Sequence, residues 1–349
     1  MTEPTRERVP PCATVVRVRY VIIGTGAVGG VIGGLLAAAG RDVVLVARGR
    51  QLESLRADGL EVATPSEVHH VHPPVAGGPA EVDLRADDVL VLATKSQDTE
   101  AALTAWADRP VAGGGTAADR LLVVCAQNGV DNERAALRRF AHVAGMCVWL
   151  PATYLEPGRV SAGGTPVPGI LTLGAYPGGA EPGSTGLASL SGDLVAAGFR
   201  APVVDDVMAW KRTKLLTNLA NAVEALCGAI DDGPSRELAA RATTEGRAVL
   251  AAAGLSVLSD AEHDAARAGF RIAPTPDGRR GGGSSWQSLV RGTGSIEADW
   301  LNGEIVLLGR LHGVPTPVNA MLQGRARQAA AEGAGVGSCM APELLAELA

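Results

Sequence analysis

The stretch Gly24-Thr25-Gly26-Ala27-Val28-Gly29 decides the fold of this chain. It follows the β-branched run 18–23, which predicts a strand, and it leads into an apolar stretch, 28–39, that has the length of a helix and ends at Gly40. A second short strand is predicted at 43–46. A strand, a glycine turn, a helix and a second strand form a βαβ unit, which predicts a parallel sheet covered by helices.

The glycines of this turn have separate physical roles. Gly24 permits a tight turn, Gly26 lets the backbone approach a pyrophosphate, and Gly29 lets the helix pack closely on the strand. The helix that begins at this turn directs its free N–H groups toward the phosphates. Residues 24–29, including Thr25, Ala27 and Val28, are therefore predicted to bind a dinucleotide. The alternative is a turn that is merely rich in glycine, because the chain contains 45 glycines.

The end of the second strand distinguishes between the two nicotinamide dinucleotides. A carboxylate there would bind the ribose 2′-hydroxyl of NAD, but this chain has Ala47-Arg48-Gly49-Arg50. An arginine binds a phosphate through two parallel hydrogen bonds. Arg48 therefore favours NADPH/NADP as the cofactor, and the alternative is that Arg48 is only a solvated surface charge.

Composition narrows the classes of partner. A formal net charge of −6 provides no basic surface for nucleic acid or anionic lipid, and no uncharged run is long enough to span a membrane. The five cysteines are odd in number and far apart, which favours neither a disulfide framework nor a zinc site. His69, His70 and His72 have no companion carboxylate or cysteine, so no metal is predicted. We expect a cytoplasmic protein that acts on a small molecule.

The length of 349 residues favours two domains. We predict a disordered leader over 1–16, an α/β Rossmann-type domain over 17–204 and an all-α domain over 205–349, where long Ala- and Leu-rich stretches have helical spacing. The Gly- and Pro-rich stretch 156–192 is predicted to be irregular, with a strand only at 170–173. One catalytic cleft between the two domains would fit this organisation.

Polar residues follow two of the predicted strands. Thr94-Lys95-Ser96 comes after the strand 89–93, and Gln127-Asn128-Gly129 comes shortly after the strand 121–125. In open α/β sheets, ligands bind just beyond the carboxyl ends of the strands. Lys95 and Asn128 are therefore candidate site residues.

A polar stripe marks the start of the helical half. Lys214, Asn218 and Asn221 are spaced i, i+4 and i+7, so they share one helix face with Trp210 one turn earlier. A solvated helix face is the alternative, but the apolar flanks favour a cleft. Taken alone, Ser285 is predicted to be a helix N-cap and Glu297 an exposed helix carboxylate.

Together these residues resemble the ketopantoate reductase (2-dehydropantoate 2-reductase) family over nearly all of 17–330. Several separate motifs in the right order are more specific than any one of them. The matching positions are Gly24, Gly26 and Gly29, Arg48, Lys95, Gln127-Asn128-Gly129, Trp210, Lys214, Leu215 and Asn218, Ser284-Ser285, and Glu297, Asp299, Trp300, Asn302 and Gly303.

The resemblance implies a Rossmann-type first domain and an all-α second domain similar to the C-terminal domain of 6-phosphogluconate dehydrogenase. It implies that Lys214 is the general acid and Glu297 its acidic partner. The residues implied to bind substrate are Asn128, Asn218 and Ser285, and Asn221 is a further substrate candidate from the polar stripe on the helix. Those implied at the cofactor, beside the glycine turn, are Arg48 and Lys95 at the adenosine phosphate end, and Asn128.

The expected reaction is the NADPH-dependent reduction of 2-dehydropantoate to pantoate, a step of pantothenate and coenzyme A biosynthesis. Hydride arriving at a ketone carbon leaves negative charge on oxygen, which a lysine ammonium can stabilise and protonate. One alternative is a related reductase of another 2-keto acid or of an imine. Another is a non-catalytic NADPH-binding regulator. Helical second domains often dimerise, so a homodimer is considered, although no residue fixes the oligomeric state.

Overall fold

The structure is a computed structural model, and it describes residues 18–179, 185–274, 282–292 and 294–348. The leader predicted over 1–16 lies outside the described residues. Within them, no helix is both long enough and apolar enough to cross a membrane. The same residues contain no group of three or more His, Cys, Asp or Glu side chains that could hold a metal ion.

The described residues between 19 and 196 alternate strands and helices. The elements are β1 Arg19–Ile23, α1 Ala27–Ala38, β2 Asp42–Val46, α2 Gly49–Asp58, β3 Leu60–Ala63, β4 Val68–Val71, β5 Val75–Ala76, β6 Asp88–Leu92, α3 Thr99–Ala107, α4 Ala117–Arg120, β7 Leu122–Cys125, α5 Asn132–Leu137, β8 His142–Trp149, β9 Ala152–Glu156, β10 Arg159–Ala162, β11 Gly164–Thr165, β12 Ile170–Tyr176 and α6 Thr185–Ala196.

The remainder is almost entirely helical. It contains α7 Val207–Asn218, α8 Ala220–Cys227, α9 Gly233–Ala252, α10 Asp260–Ala266, β13 Arg271–Ile272, α11 Ser284–Val290, α12 Asn302–His312, α13 Pro317–Glu332 and α14 Ala341–Ala346, with a 3₁₀ turn at Glu297–Asp299 between α11 and α12.

The main sheet has seven strands in the order β12-β8-β7-β6-β1-β2-β5. All neighbouring pairs are parallel except β12 with β8. The register places Ile23 beside both Val46 and Leu92, so the carboxyl ends of β1, β2 and β6 meet at one edge. The βαβ unit and the Rossmann-type fold predicted from the glycine turn are thus confirmed.

Both faces of the main sheet are buried, because successive residues of a strand point to opposite faces. Ile22 lies in an apolar cluster with α1 and α6, whereas Val21 lies in a second cluster with α3 and α5. A third cluster, built on Leu219, Leu250 and Ile305, forms the core of the helical half. The predicted boundary near residue 204 lies just before α7.

Helix α1 is packed between two sheets, which explains its glycines. A Cβ at Gly33 would meet Leu45 of the main sheet, and a Cβ at Gly34 would meet Val62 of the second sheet. That second sheet has the order β4-β3-β10-β9. It therefore covers the side of α1 that faces away from the main sheet.

The prediction that residues 156–192 are irregular is wrong. This stretch contains β10, β11, β12 and most of α6. Strand β10 pairs in parallel with β3, about a hundred residues earlier, where Arg159 lies opposite Glu61. Gly174 in β12 lies opposite Gly145 in β8. Partners distant in sequence, and not local propensity, give this Gly- and Pro-rich stretch its structure.

The helical half also departs from the all-α expectation at one point. The two-residue strand β13 pairs antiparallel with β11 of the first domain, with Ile272 opposite Gly164. This short ribbon carries Ile272 to the edge of the cavity described below.

A buried ion pair joins the two halves of the chain. Lys211 on α7 donates to Glu133 on α5, and the two residues are 3% and 0% exposed. Burial raises the pKa of the Glu133 carboxyl, while the Lys211 ammonium opposes that rise. The charge of each residue is therefore balanced mainly by the other.

Candidate active site

A cavity of about 1210 Å³ opens where the carboxyl ends of the parallel strands face the helical half. This is the position at which open α/β sheets bind ligands. The cavity brings together most of the predicted site residues from both halves of the chain. Those that line it are Gly24, Thr25, Gly26, Ala27, Val28, Arg48, Lys95, Asn128, Lys214, Asn218, Asn221 and Glu297.

The glycine turn has the geometry of a phosphate cradle. Gly24 has a φ of +98°, in the left-handed region that favours glycine, and its N–H donates to the Val46 carbonyl. Gly26 is the N-cap of α1 and makes no side-chain cap, and a Cβ placed there would meet no atom within 4 Å. The open space beside Gly26 and the free N–H groups of α1 suit an anionic ligand.

Gly29 acts through packing and does not line the cavity. A Cβ there would collide with the Gly24 carbonyl oxygen and approach Ala93. Helix α1 can therefore approach the strand only with glycine at this position.

The turn gives a test that separates ligand binding from folding. Gly26→Ala is expected to leave the free energy of unfolding within about 0.5 kcal/mol and to weaken cofactor binding about 10- to 100-fold, because the new methyl group occupies ligand space. Gly29→Ala is expected to destabilise the fold by about 1–3 kcal/mol. Urea unfolding and cofactor titration measure the two effects, and equal destabilisation by both variants would contradict this assignment.

Arg48 and Gln51 lie at the start of α2 and line the same cavity as the glycine turn. Arg48 caps the N-terminus of α2, is exposed, and forms no ion pair with any residue that the structure describes. Gln51 donates to the Thr25 carbonyl at 2.9 Å and accepts from the Gly158 N–H at 2.8 Å. No sequence motif marks Gln51, because its two partners lie far from it in the chain.

Glu297 pairs with Lys95 and not with Lys214. Lys95 Nζ donates to Glu297 Oε2 at 2.5 Å, and both the N–H and the hydroxyl of Ser96 donate to Glu297 Oε1. Glu297 is 4% exposed. The structure therefore places Glu297 against Lys95 and Ser96, which follow β6, instead of against Lys214 as expected from the sequence. Lys95 has two further donors that remain able to reach a ligand.

Lys214 projects into the cavity from α7 without a carboxylate partner among the described residues. Burial lowers the pKa of its ammonium, and the positive charge of Arg267 lowers it further. Its Nζ lies 4.3 Å from the centroid of the Trp149 ring. A lysine with a lowered pKa releases its proton more readily, which suits proton transfer to a substrate.

Asn218 offers an unused donor to the same part of the cavity. It is 5% exposed, lines the cavity, and its Nδ2 has no hydrogen-bond partner in the described structure. Buried amides are normally satisfied, so this one suits a ligand oxygen. Asn221, one turn further along the chain, donates weakly to Ser284 Oγ at 3.4 Å.

Ser284, and not Ser285, faces the cavity. Ser285 is 2% exposed and is not among the cavity-lining residues, whereas Ser284 is. Both lie in the first turn of α11, where successive side chains point about 100° apart, so only one of the two can face the ligand. The sequence-based choice of Ser285 is therefore not supported by the geometry.

Other cavity residues were missed from the sequence. Gln287 on α11 donates to the Ala152 carbonyl at 3.0 Å and accepts from the Tyr154 N–H at 3.2 Å, which ties α11 to β9. The Arg291 guanidinium lies 5.2 Å from the Tyr154 ring. Trp149 could have been found from its place at the end of a strand, but Gln287 and Arg291 had no such signal.

Comparison with known proteins identifies the family of this chain. The family profile described as ketopantoate reductase PanE/ApbA matches residues 20–178, and the profile of its C-terminal part matches residues 206–330. A 2-dehydropantoate 2-reductase of Mesorhizobium japonicum is 32% identical over 337 residues, which cover 87% of this chain and 95% of that protein.

Solved structures agree on the fold. A PanE/ApbA family ketopantoate reductase from Ralstonia eutropha JMP134 has a TM-score of 0.72 and 27% identity, covering 90% of this chain and 99% of its own. A D-mandelate dehydrogenase solved with NADH and anilino(oxo)acetate has a TM-score of 0.73 over 91% of this chain and 99% of its own, but at 20% identity it shows the fold alone. With both family profiles matched and the glycine turn and Lys214 in one cavity, this chain belongs to the ketopantoate reductase family.

Proposed function

We propose that this chain reduces 2-dehydropantoate to pantoate with NADPH, as a step of pantothenate and coenzyme A biosynthesis. The observation that carries the proposal is that Lys214 and residues 24–28 of the glycine turn line one cavity. The turn would hold a dinucleotide, and the lysine would supply a proton beside it.

The cofactor end fits NADPH. The space beside Gly26, which no atom of the described residues fills, would take the pyrophosphate, and the free N–H groups of α1 would donate to it. Arg48 would bind the 2′-phosphate, since its charge is paired with no described carboxylate. When bound, the nicotinamide supplies the hydride.

The keto acid end is built from uncharged donors around one cation. The free Nδ2 of Asn218, with Asn221 and Ser284, would donate to the substrate's carboxylate and hydroxyl without competing as acids. Asn128, after β7, also lines the cavity and would contact either ligand.

Lys214 would complete the reaction. As hydride adds to the carbonyl carbon, the C=O π bond breaks and its electrons move to oxygen, which takes a proton from Lys214 Nζ. Lys214 is left neutral and regains its proton from solvent. Its lowered pKa assists the release of the proton. Glu297 would act at the cofactor side by holding Lys95 across the cleft.

The test measures the oxidation of NADPH and of NADH in the presence of 2-dehydropantoate and of a panel of other 2-keto acids and imines. We expect the highest kcat/KM with NADPH and 2-dehydropantoate. A higher kcat/KM with another keto acid would make that compound the substrate in place of 2-dehydropantoate. A preference for NADH would make NADH the cofactor in place of NADPH. NADPH binding without oxidation by any compound would show a regulator instead of an enzyme.

Arg48 gives a prediction about cofactor choice. Arg48→Gln is expected to weaken NADPH binding about 10- to 100-fold, because it removes charge-assisted hydrogen bonds to the 2′-phosphate. NADH lacks that phosphate, so its affinity is expected to change by less than about twofold. Fluorescence titration of both cofactors measures this, with Arg56→Gln, on the same helix and paired with Glu81, as the control. Equal weakening of both cofactors would contradict the assignment.

A further inference from the structure

Trp149 is the last residue of β8 and lies at the cavity wall, where its indole packs against Lys214, the proposed proton donor. Lys214 Nζ is 4.3 Å from the centroid of the ring. Both residues line the cavity and both are half-buried. A cation within about 6 Å of an indole centroid is attracted by the negative face of the ring.

No described carboxylate near Lys214 is free to stabilise its ammonium charge. Glu297 is held by Lys95 and Ser96, and Glu133 is held by Lys211 one turn earlier on α7. The other titratable groups that face Lys214 are Cys147 on β8 and Arg267 just after α10, while His263 on α10 contacts the indole. A half-buried ammonium without an anion beside it needs another source of stabilisation.

We propose that Trp149 is a positioning residue, whose indole face holds the Lys214 ammonium at the place in the cavity where it meets the substrate oxygen. This inference rests on the proposed role of Lys214 as proton donor. It assigns Trp149 no contact with the reacting atoms.

The indole is itself held in place from the helical half. The Arg267 guanidinium carbon lies 4.7 Å from the ring centroid, and the His263 ring centroid lies 5.1 Å away at an interplanar angle of 48°. Arg267 also donates to the His263 carbonyl and to Asp264. A fixed aromatic face reduces the freedom of a lysine side chain that has many rotamers in solvent.

The two neighbours of Lys214 act on its charge with opposite signs. The indole stabilises only the ammonium form, so its loss lowers the pKa of Lys214. Arg267 is a like charge that lowers the pKa of Lys214, so its loss raises that pKa. Since reduction needs protonated Lys214, the alkaline limb of the kcat/KM profile follows this pKa.

The experiment compares Trp149→Met, which keeps apolar bulk without a π face, with Trp149→Phe, which keeps a weaker one. For Trp149→Met we expect the alkaline limb to move down by roughly half a unit to one unit and kcat to fall about 10- to 100-fold. For Trp149→Phe we expect kcat within about threefold of wild type and a smaller downward movement. Unchanged NADPH affinity shows that the variants are folded. Equal kcat and equal limbs for the two variants would reduce Trp149 to packing and overturn the proposal.

Arg267→Gln is the control in which the pKa of Lys214 is expected to change in the opposite direction. Its alkaline limb is expected to move up. If Trp149→Met also loses NADPH binding, the pair Trp149→Phe and Arg267→Gln decides, because their limbs must move in opposite directions. Limbs that move together or not at all would overturn the proposal. A Lys214→Ala variant that remains active would instead remove the proposed function on which this inference rests.

Discussion

Lys214→Ala is expected to lower kcat for keto acid reduction by about 10²- to 10⁴-fold, the usual contribution of a positioned general acid. Without the ammonium, the oxygen that gains charge during hydride transfer has no proton donor beside it. The affinity for NADPH is expected to stay close to wild type, because the glycine turn and Arg48, which are proposed to bind the cofactor's phosphates, are unchanged. Single-turnover kinetics with prebound NADPH measures the step directly.

Two further variants separate the parts played by Lys214. Lys214→Arg keeps the positive charge but cannot give up its proton, so it is expected to remain inactive. Arg212→Ala lies on the same helix, but Arg212 donates to Ser256 outside the cavity, so kcat should be retained. A Lys214→Ala variant that keeps more than about one tenth of wild-type kcat would rule out Lys214 as the general acid.

The lowered pKa of Lys214 also sets a direction for the wild-type pH profile. The protonated form is the active form, and burial moves its pKa below the ordinary lysine value of 10.5. Activity should therefore fall as pH rises through this lowered value, earlier than it would for an exposed lysine.

Lys211→Met is expected to lower the free energy of unfolding by about 3–5 kcal/mol, because it leaves the Glu133 carboxylate buried without its partner. Glu133 is 0% exposed, and its second oxygen, Oε2, has no hydrogen-bond partner within the described structure. Urea unfolding measures the loss. The double variant Lys211→Met with Glu133→Leu removes both charges and should recover most of it.

The pH dependence gives an independent check of this pair. In Lys211→Met the pKa of buried Glu133 rises further above its unfolded value, so the folded state binds a proton more tightly than the unfolded state. The loss of stability should therefore shrink as pH falls through that raised pKa toward the unfolded value. A single variant that loses less than about 1 kcal/mol, or a loss independent of pH, would show that Glu133 is solvated.

Local geometry made the cofactor half of the site predictable. The turn at Gly24 needs a left-handed backbone conformation, and the structure has a φ of +98° there. The packing role of Gly29 follows from the distance between a helix and the strand before it, which residues within the turn determine. Lys214 and Asn218 share a face of α7 through helical periodicity, and both line the cavity together with Asn221 in the first turn of α8.

The choice of side-chain partner was not predictable in the same way. Glu297 takes Lys95, 202 positions away, and Lys211 takes Glu133, 78 positions away. Both pairs cross between the halves of the chain, where the relative placement of α7, the turn before α12 and the strand ends decides which charges meet.

The sequence by itself therefore determined the dinucleotide turn, the Rossmann-type sheet and the polar face of α7, because each depends on backbone conformation and spacing within a few residues. Only the tertiary structure decided that Ser284 faces the cavity, that Glu297 pairs away from Lys214, and that Trp149 lies against that lysine. Those outcomes depend on how separate elements pack, and no local pattern records the packing.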